Sequence, residues 1–94
     1  MRDLTAVTTD GRMVRCPEDA VIVTVDVRDD LREGREPFAR LMKAVNELAP
    51  DHVLHVRAPF APLPLIELLS ERGFVYHAAS EADDDWSVWF WIAR

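Results

Sequence analysis

The sequence predicts a two-layer α/β sandwich with the element order strand-helix-strand-helix-strand-strand, preceded by an N-terminal hairpin. Two patterns predict this fold class: apolar residues alternate at period two in strand-like segments, and two intervening segments carry apolar residues at helical spacing. Size is the third observation, since 94 residues with 49% hydrophobic and 30% charged residues suit one globular domain. We expect residues 1–19 to form the hairpin extension and residues 20–94 the sandwich domain.

The first elements are predicted by a turn dipeptide and a run of valines. Asp10-Gly11 between alternating segments is typical of a type I′ hairpin, which predicts strands over Leu4–Thr9 and Met13–Cys16. Ala20–Arg28 is predicted as the first strand of the sandwich because four valines share one face. These are Val21, Val23, Val25 and Val27. The next segment, Asp29–Glu36, is polar, and we expect a loop there.

Prolines and a glycine delimit the two predicted helices and the strand between them. Pro37 suits the first turn of a helix, and Pro50 ends it. The apolar face of this helix is predicted to contain Phe38, Leu41, Met42, Val45 and Leu48. His52–Arg57 is predicted as the second strand. The second helix is predicted from Leu65, Ile66, Leu68 and Leu69, and Gly73 fits its C-terminal cap.

The last third of the chain predicts an antiparallel pair of strands. Phe74–Ala79 and Trp86–Ala93 are the strands, and Glu81–Asp85 is an acidic turn between them. The first two sandwich strands are expected to be parallel, and right-handed crossovers then place both helices on one face. The prediction is therefore a four-stranded mixed sheet with two helices on one face.

Composition excludes several classes of function. The net charge is −6 and no basic stripe could follow a phosphate backbone, so we expect neither nucleic-acid binding nor binding to an anionic membrane surface. No segment approaches the ~18–20 apolar residues of a membrane helix, and no apolar run resembles a signal peptide. Cys16 is the only cysteine, which excludes an internal disulfide and suits a reducing compartment. The expected location is the cytoplasm.

Two arginines, Arg28 and Arg57, end the two strands that are predicted to be parallel. Ligands of open α/β sheets gather at these carboxyl ends, where helix N-termini add N–H donors. Two guanidinium groups favour a carboxylate, a phosphate or an acidic side chain, so a small anion or an acidic partner is expected. The alternative is that Asp26, Asp29 and Asp30 simply pair with these arginines on the surface.

Short motifs follow in a fixed order over about residues 21–94. They are Val25-Asp26-Val27-Arg28, Glu36-Pro37, Leu54-His55-Val56-Arg57, Pro62-Leu63-Pro64-Leu65 and Gly73-Phe74. In order and spacing they resemble a bacterial domain family of unknown function that is similar to the TusA/SirA-like sulfur carriers. The resemblance implies a TusA-like β-α-β-α-β-β fold.

The sulfur carriers place a Cys-Pro-x-Pro motif at the start of their first helix, where the helix N-terminus stabilises a thiolate that carries a persulfide. The matching segment is Gly34-Arg35-Glu36-Pro37, in which the cysteine position is glycine. The resemblance therefore implies the fold without the carrier chemistry: a non-enzymatic binding or accessory domain with no cofactor. Arg35 and Glu36 join Arg28 and Arg57 as candidate ligand-binding residues.

The alternative function is a sulfur carrier or sulfurtransferase that uses Cys16. Arg15-Cys16-Pro17-Glu18 is similar to the carrier motif, but it precedes the first sandwich strand and opens no helix. An unreactive thiol is therefore expected. His52, His55 and His77 form no metal-ligand pattern, since at most two of them share a face, and no metal site is expected.

The last strand carries aromatic residues on both faces. Trp86, Val88, Phe90 and Ile92 share one face, and Trp89 and Trp91 share the other. If the helices cover the first set, the two indoles form an apolar patch about as large as a monomer tolerates. Either the N-terminal hairpin folds over them, or a protein partner or a second subunit of a homodimer packs there. Trp89 and Trp91 are therefore candidate interface residues.

Overall fold

The protein is a four-stranded mixed sheet with helices on one face and a two-stranded hairpin on the other. The computed structural model describes residues 4–8 and 10–93. Its elements are β1 (Thr5–Val7), β2 (Met13–Arg15), β3 (Ile22–Asp26), α1 (Arg28–Arg32), α2 (Phe38–Glu47), β4 (Val53–Ala58), α3 (Leu63–Glu71), β5 (Phe74–Ala82) and β6 (Asp85–Ile92). The sheet order is β3-β4-β6-β5, with β3 and β4 parallel and the other neighbours antiparallel. The predicted two-layer sandwich with its N-terminal hairpin is confirmed.

The main core lies between the sheet and the two longer helices. Alternate residues of β4 and β6 are fully excluded from water, namely Leu54, Val56, Val88 and Phe90. Helix α2 contributes Leu41 and Val45, and α3 contributes Leu65, Ile66 and Leu69. The period-two and helical patterns of the sequence therefore face each other, as predicted. Val21 is an exception, because it precedes β3 and is exposed.

A second core lies between the sheet and the hairpin. Trp89 and Trp91 are 8% and 2% exposed, and they pack with Val53, Val75, Ala6 and Cys16. His77 on β5 contacts the hairpin directly: its Nδ1 lies 2.9 Å from the backbone oxygen of Thr5 in β1. Of the two covers expected for the indoles, the structure has the hairpin. A second copy on this face would meet the hairpin before the tryptophans, and the homodimer stays a prediction.

Helix α1 replaces the first part of the loop predicted over Asp29–Glu36. Its first turn is closed by Asp26, whose Oδ1 accepts the N–H of Arg28 at 3.1 Å, and by Leu31, whose N–H donates to the oxygen of Val27 at 3.0 Å. No residue of α1 is buried. The sequence therefore contains no apolar stripe that would predict this helix.

The predicted acidic turn is shorter than expected. Strand β5 continues to Ala82 and β6 begins at Asp85, its register partner, so only two residues separate the strands. A register shift between Ser80 and Ala82 accommodates the change. Asp85 thereby belongs to the sheet. Within the described part of the chain, no helix is long and apolar enough to cross a membrane.

Candidate functional site

Parallel pairing brings Arg28 and Arg57 to one edge of the sheet. Asp26, the last residue of β3, is the register partner of Arg57, and Arg28 begins α1 two residues later. The edge is the carboxyl end of β3 and β4, where the sequence predicted a ligand site. The side chains of Arg28 and Arg57 are 26% and 31% exposed, so solvent reaches both.

The carboxylate of Asp85 bridges the two guanidinium groups. Arg57 Nη2 donates to Asp85 Oδ2 at 2.7 Å, and Arg28 Nη1 lies 3.3 Å from Asp85 Oδ1. Asp85 was predicted only as part of a turn. Its alternation with Ser87 and Trp89 places it on the same sheet face as Arg57, and this signal could have found it.

Asp26 holds Arg28 through a two-point contact. Nε donates to Oδ1 at 3.0 Å and Nη2 donates to Oδ2 at 2.8 Å. The side-chain hydrogen bonds from Arg28 lower the pKa of Asp26 to about 2, against the opposing effect of burial. The same contact raises the pKa of Arg28 above its ordinary value. The pair of Asp26 and Arg28 is one of the surface pairings that the sequence predicts as the alternative to a ligand site. Arg57 pairs instead with Asp85.

Arg35 belongs to a second charged cluster between α1 and α2. Its Nε donates to Asp30 Oδ1 at 3.1 Å, and its Nη1 donates to Glu33 Oε1 at 2.7 Å. Arg40 on α2 also bonds the Asp30 carboxylate and donates to the backbone oxygen of Asp26 at 3.0 Å. The hydrogen bond from Arg35, followed by the charge and hydrogen bond of Arg40, lowers the pKa of Asp30 against the opposing effect of burial. Hydrogen bonds to Glu33 and then to Asp30 raise the pKa of Arg35. These contacts stabilise the connection between the two helices.

Glu36 stands at the mouth of an apolar groove. Its Oε1 accepts the N–H of Phe38, the first residue of α2, at 2.7 Å. The groove, about 230 Å³ in volume, runs between the first turns of α2 and α3 on the helix face of the sheet. Its base is formed by Val27, Val56 and Ala58, which are almost fully buried. Its rim includes Phe38 and Phe60, which are 48% and 53% exposed. Phe38 was predicted as a core residue, and its exposure corrects that prediction.

The two positions associated with sulfur chemistry lie in different surroundings. Gly34, which the sequence resemblance matches to the carrier cysteine, follows α1 with a φ of +76°, which favours glycine. Cys16 follows β2, is 7% exposed and has its Sγ 3.8 Å from the backbone oxygen of Pro17. It packs in the core beneath the hairpin and lies at no helix N-terminus. Its surroundings are those of a small buried apolar residue.

His55 is held in place on the sheet face that also carries Arg57. Its ring stacks on Trp89 with centroids 4.6 Å apart, and its two ring nitrogens lie 3.2 Å from Thr24 Oγ1 and 3.0 Å from Ser87 Oγ. These contacts fix the imidazole between two hydroxyl groups. Among the residues that the structure describes, no three metal-ligating side chains come together.

The fold and this edge define a small α/β sandwich domain whose carboxyl edge presents two arginines that share a carboxylate. Residues 24–92 match the model of the family DUF2249, described as an uncharacterised conserved protein, and the chain belongs to this family. No curated protein and no solved structure matches the chain. The matched region begins within β3 and ends with β6, so the hairpin lies outside it.

Proposed function

We propose that this chain is a non-enzymatic, cytoplasmic binding module that takes an acidic group between Arg28 and Arg57. The group belongs to a small anion or to a protein partner. The supporting observation is the carboxylate of Asp85, which meets one guanidinium group on each of its oxygens. Asp85 has the position that the carboxylate of a ligand would take, since two arginines in this arrangement are suited to a two-oxygen anion.

The chemistry of Arg28, Arg57, Gly34 and Cys16 also favours a binding role over a catalytic one. An arginine stays protonated at all physiological pH values, so Arg28 and Arg57 supply charge and hydrogen bonds but no general base. Gly34 stands where the TusA/SirA-like carriers have their cysteine, and Cys16 is buried beneath the hairpin. The likeness to those carriers therefore supports the fold without the sulfur transfer.

An incoming anion competes with Asp85. A hydrogen bond to a charged group contributes about 1.5–3 kcal/mol, and the ligand makes bonds of the same kind as those that Asp85 gives up. Exchange of one carboxylate for another is thus nearly neutral, and a simple anion binds weakly. A protein partner adds further contacts around the edge, which makes the exchange favourable.

Removal of the internal carboxylate tests the proposal. Asp85→Asn keeps the shape of the side chain and leaves the two guanidinium groups without their bridging charge. We expect this variant to bind succinate about tenfold more tightly than the wild-type protein, measured by NMR titration of the backbone amides at residues 28 and 57. Asp51→Asn is the matched control, because Asp51 is an exposed aspartate in the loop before β4, away from the edge.

A second substitution distinguishes a specific site from a general charge effect. Arg57→Gln in the Asp85→Asn background should remove the gain in succinate affinity. The proposal is refuted if Asp85→Asn binds no more tightly than Asp51→Asn, or if the Arg57→Gln double variant retains the gain.

A further inference from the structure

The apolar groove is a second candidate site, separate from the arginine pair. In β4 the side chains of Val56 and Ala58 line the groove, whereas Arg57 between them points to the opposite sheet face. Two aromatic side chains of the groove lining lie exposed: Phe38 at 48% and Phe60 at 53%. Both rings line the same groove, so they are not singly scattered surface residues.

The chemistry of the lining favours an apolar occupant. Pro37, Pro62 and Pro64 occupy the starts of α2 and α3. Proline has no backbone N–H, and the N–H of Phe38 is already taken by Glu36. Donors that a phosphate or carboxylate would use at a helix N-terminus are therefore scarce here. The groove suits a hydrocarbon or aromatic group.

The dimensions favour a single side chain over a small molecule or a second copy. Small-molecule sites commonly measure ~300–1,000 Å³, and this groove is smaller, at about 230 Å³. The two half-exposed aromatic side chains offer on the order of 200 Å², taking ~150–250 Å² for a fully buried aromatic. A stable dimer needs about 800 Å² from each subunit. A single anchoring side chain from a partner segment is compatible with both the groove volume and the exposed apolar area.

The charge of the groove lining predicts which kind of residue lies next to the anchoring side chain in the partner. Among the described residues that line the groove, only Glu36 is charged, and the whole chain carries a net charge of −6. We propose that the groove docks one aromatic or large aliphatic side chain of a partner protein, flanked in that partner by a lysine or arginine that faces Glu36. The apolar anchor contributes affinity, and the neighbouring cation contributes orientation and rate of association.

Selection from a random peptide library on the immobilised full-length protein tests this inference. We expect enrichment of peptides with Phe, Trp, Leu or Met next to Lys or Arg. A synthetic peptide of the enriched sequence should bind at least about tenfold more weakly to Phe38→Ser/Phe60→Ser, as measured by isothermal titration calorimetry. Both replaced side chains are about half exposed, so the variant should fold, which its amide NMR spectrum verifies.

Two further variants test separately whether the charge of Glu36 contributes to binding and whether the peptide binds at the groove and not at the arginine pair. Glu36→Gln retains an oxygen that can accept the N–H of Phe38, and it should weaken peptide binding about threefold and reduce the dependence of binding on salt. Arg57→Gln should leave peptide binding unchanged, because Arg57 lies on the other sheet face. Failure of the succinate experiment therefore leaves this proposal standing, and the reverse also holds.

Several outcomes would overturn the inference. Enriched peptides without a large apolar residue, or with acidic residues beside it, contradict the assigned chemistry. Equal binding to the wild-type protein and to Phe38→Ser/Phe60→Ser places the contact elsewhere. A wild-type dimer that Phe60→Ser dissociates, seen by sedimentation equilibrium, makes a second copy the occupant.

Discussion

Replacement of Trp91 by alanine should remove a large share of the stability of the protein. The indole is 2% exposed, lies opposite Val75 in the sheet and packs in the core that the hairpin closes. Burial of ~150–250 Å² at ~25 cal/mol per Å² contributes about 4–6 kcal/mol. Measured Trp→Ala or Phe→Ala substitutions in cores cost about 3–5 kcal/mol. A domain of this size has a free energy of unfolding of about 5–14 kcal/mol, so the substitution removes between roughly a fifth of that free energy and all of it.

Urea unfolding followed by far-ultraviolet circular dichroism measures this loss without relying on tryptophan fluorescence. Phe60→Ala is the matched control, because it also deletes an aromatic ring but at a residue that is 53% exposed, and it should cost about 1 kcal/mol or less. A loss of less than about 1 kcal/mol for Trp91→Ala would refute the packing described here.

The mass of the Trp91→Ala variant distinguishes the two covers that the sequence leaves open. With the hairpin as the cover, the variant loses stability while its mass in sedimentation equilibrium equals that of the wild-type protein. With a second subunit as the cover, the wild-type protein is a dimer and the variant dissociates. A dimer that persists in both proteins would place the subunit contact away from this face.

Two further predictions concern the charged edge and the thiol. Because Arg28 lowers the pKa of Asp26 to about 2, the stability that this pair contributes is present above the unfolded pKa of ~3.9 and is lost as the pH falls towards 2. The Asp26 side chain is 45% exposed, so the contribution is about 1 kcal/mol or less, and Arg28→Gln should flatten the urea midpoint between pH 2 and 4 relative to the wild-type protein. Cys16 should react with iodoacetamide at least about tenfold more slowly in the native protein than in urea, and equal rates would contradict its burial beneath the hairpin.

The longer elements are predictable from sequence because each repeats its pattern over many residues. Strand β6 alternates between two buried faces, and α2 presents Leu41 and Val45 at helical spacing. Burial on both faces of the sheet fixes the register, since a slip by one residue would exchange the cores. The fold class and the position of Arg28 and Arg57 at one edge follow from these elements.

The missed features depend on contacts that are local and polar or distant in sequence. Helix α1 is held by backbone and aspartate hydrogen bonds and buries no residue, so hydrophobic periodicity gives no signal for it. The bridging role of Asp85 depends on where the turn between β5 and β6 begins, and turn boundaries shift with a single residue. The groove brings together Val27, Phe38 and Phe60 from three separate segments, none of which marks it alone.

The alternation of side chains between the two faces of the parallel strands β3 and β4 determines where both the arginine edge and the apolar groove lie. Asp26 and Arg57 are register partners and share a face with Asp85, so the charged groups gather on the side of the sheet that carries the hairpin, at the end beyond the indoles. Val27 follows Asp26 and Ala58 follows Arg57, and both face the helices and form part of the base of the groove. A charged edge and an apolar groove therefore meet at the same strand ends without a dedicated motif. Both placements depend on the alternation of side chains along β3 and β4, and neither depends on Gly34, which follows α1. The physical requirement is that Val27 and Ala58 each follow a charged register partner by one residue, because successive side chains of a strand point to opposite faces.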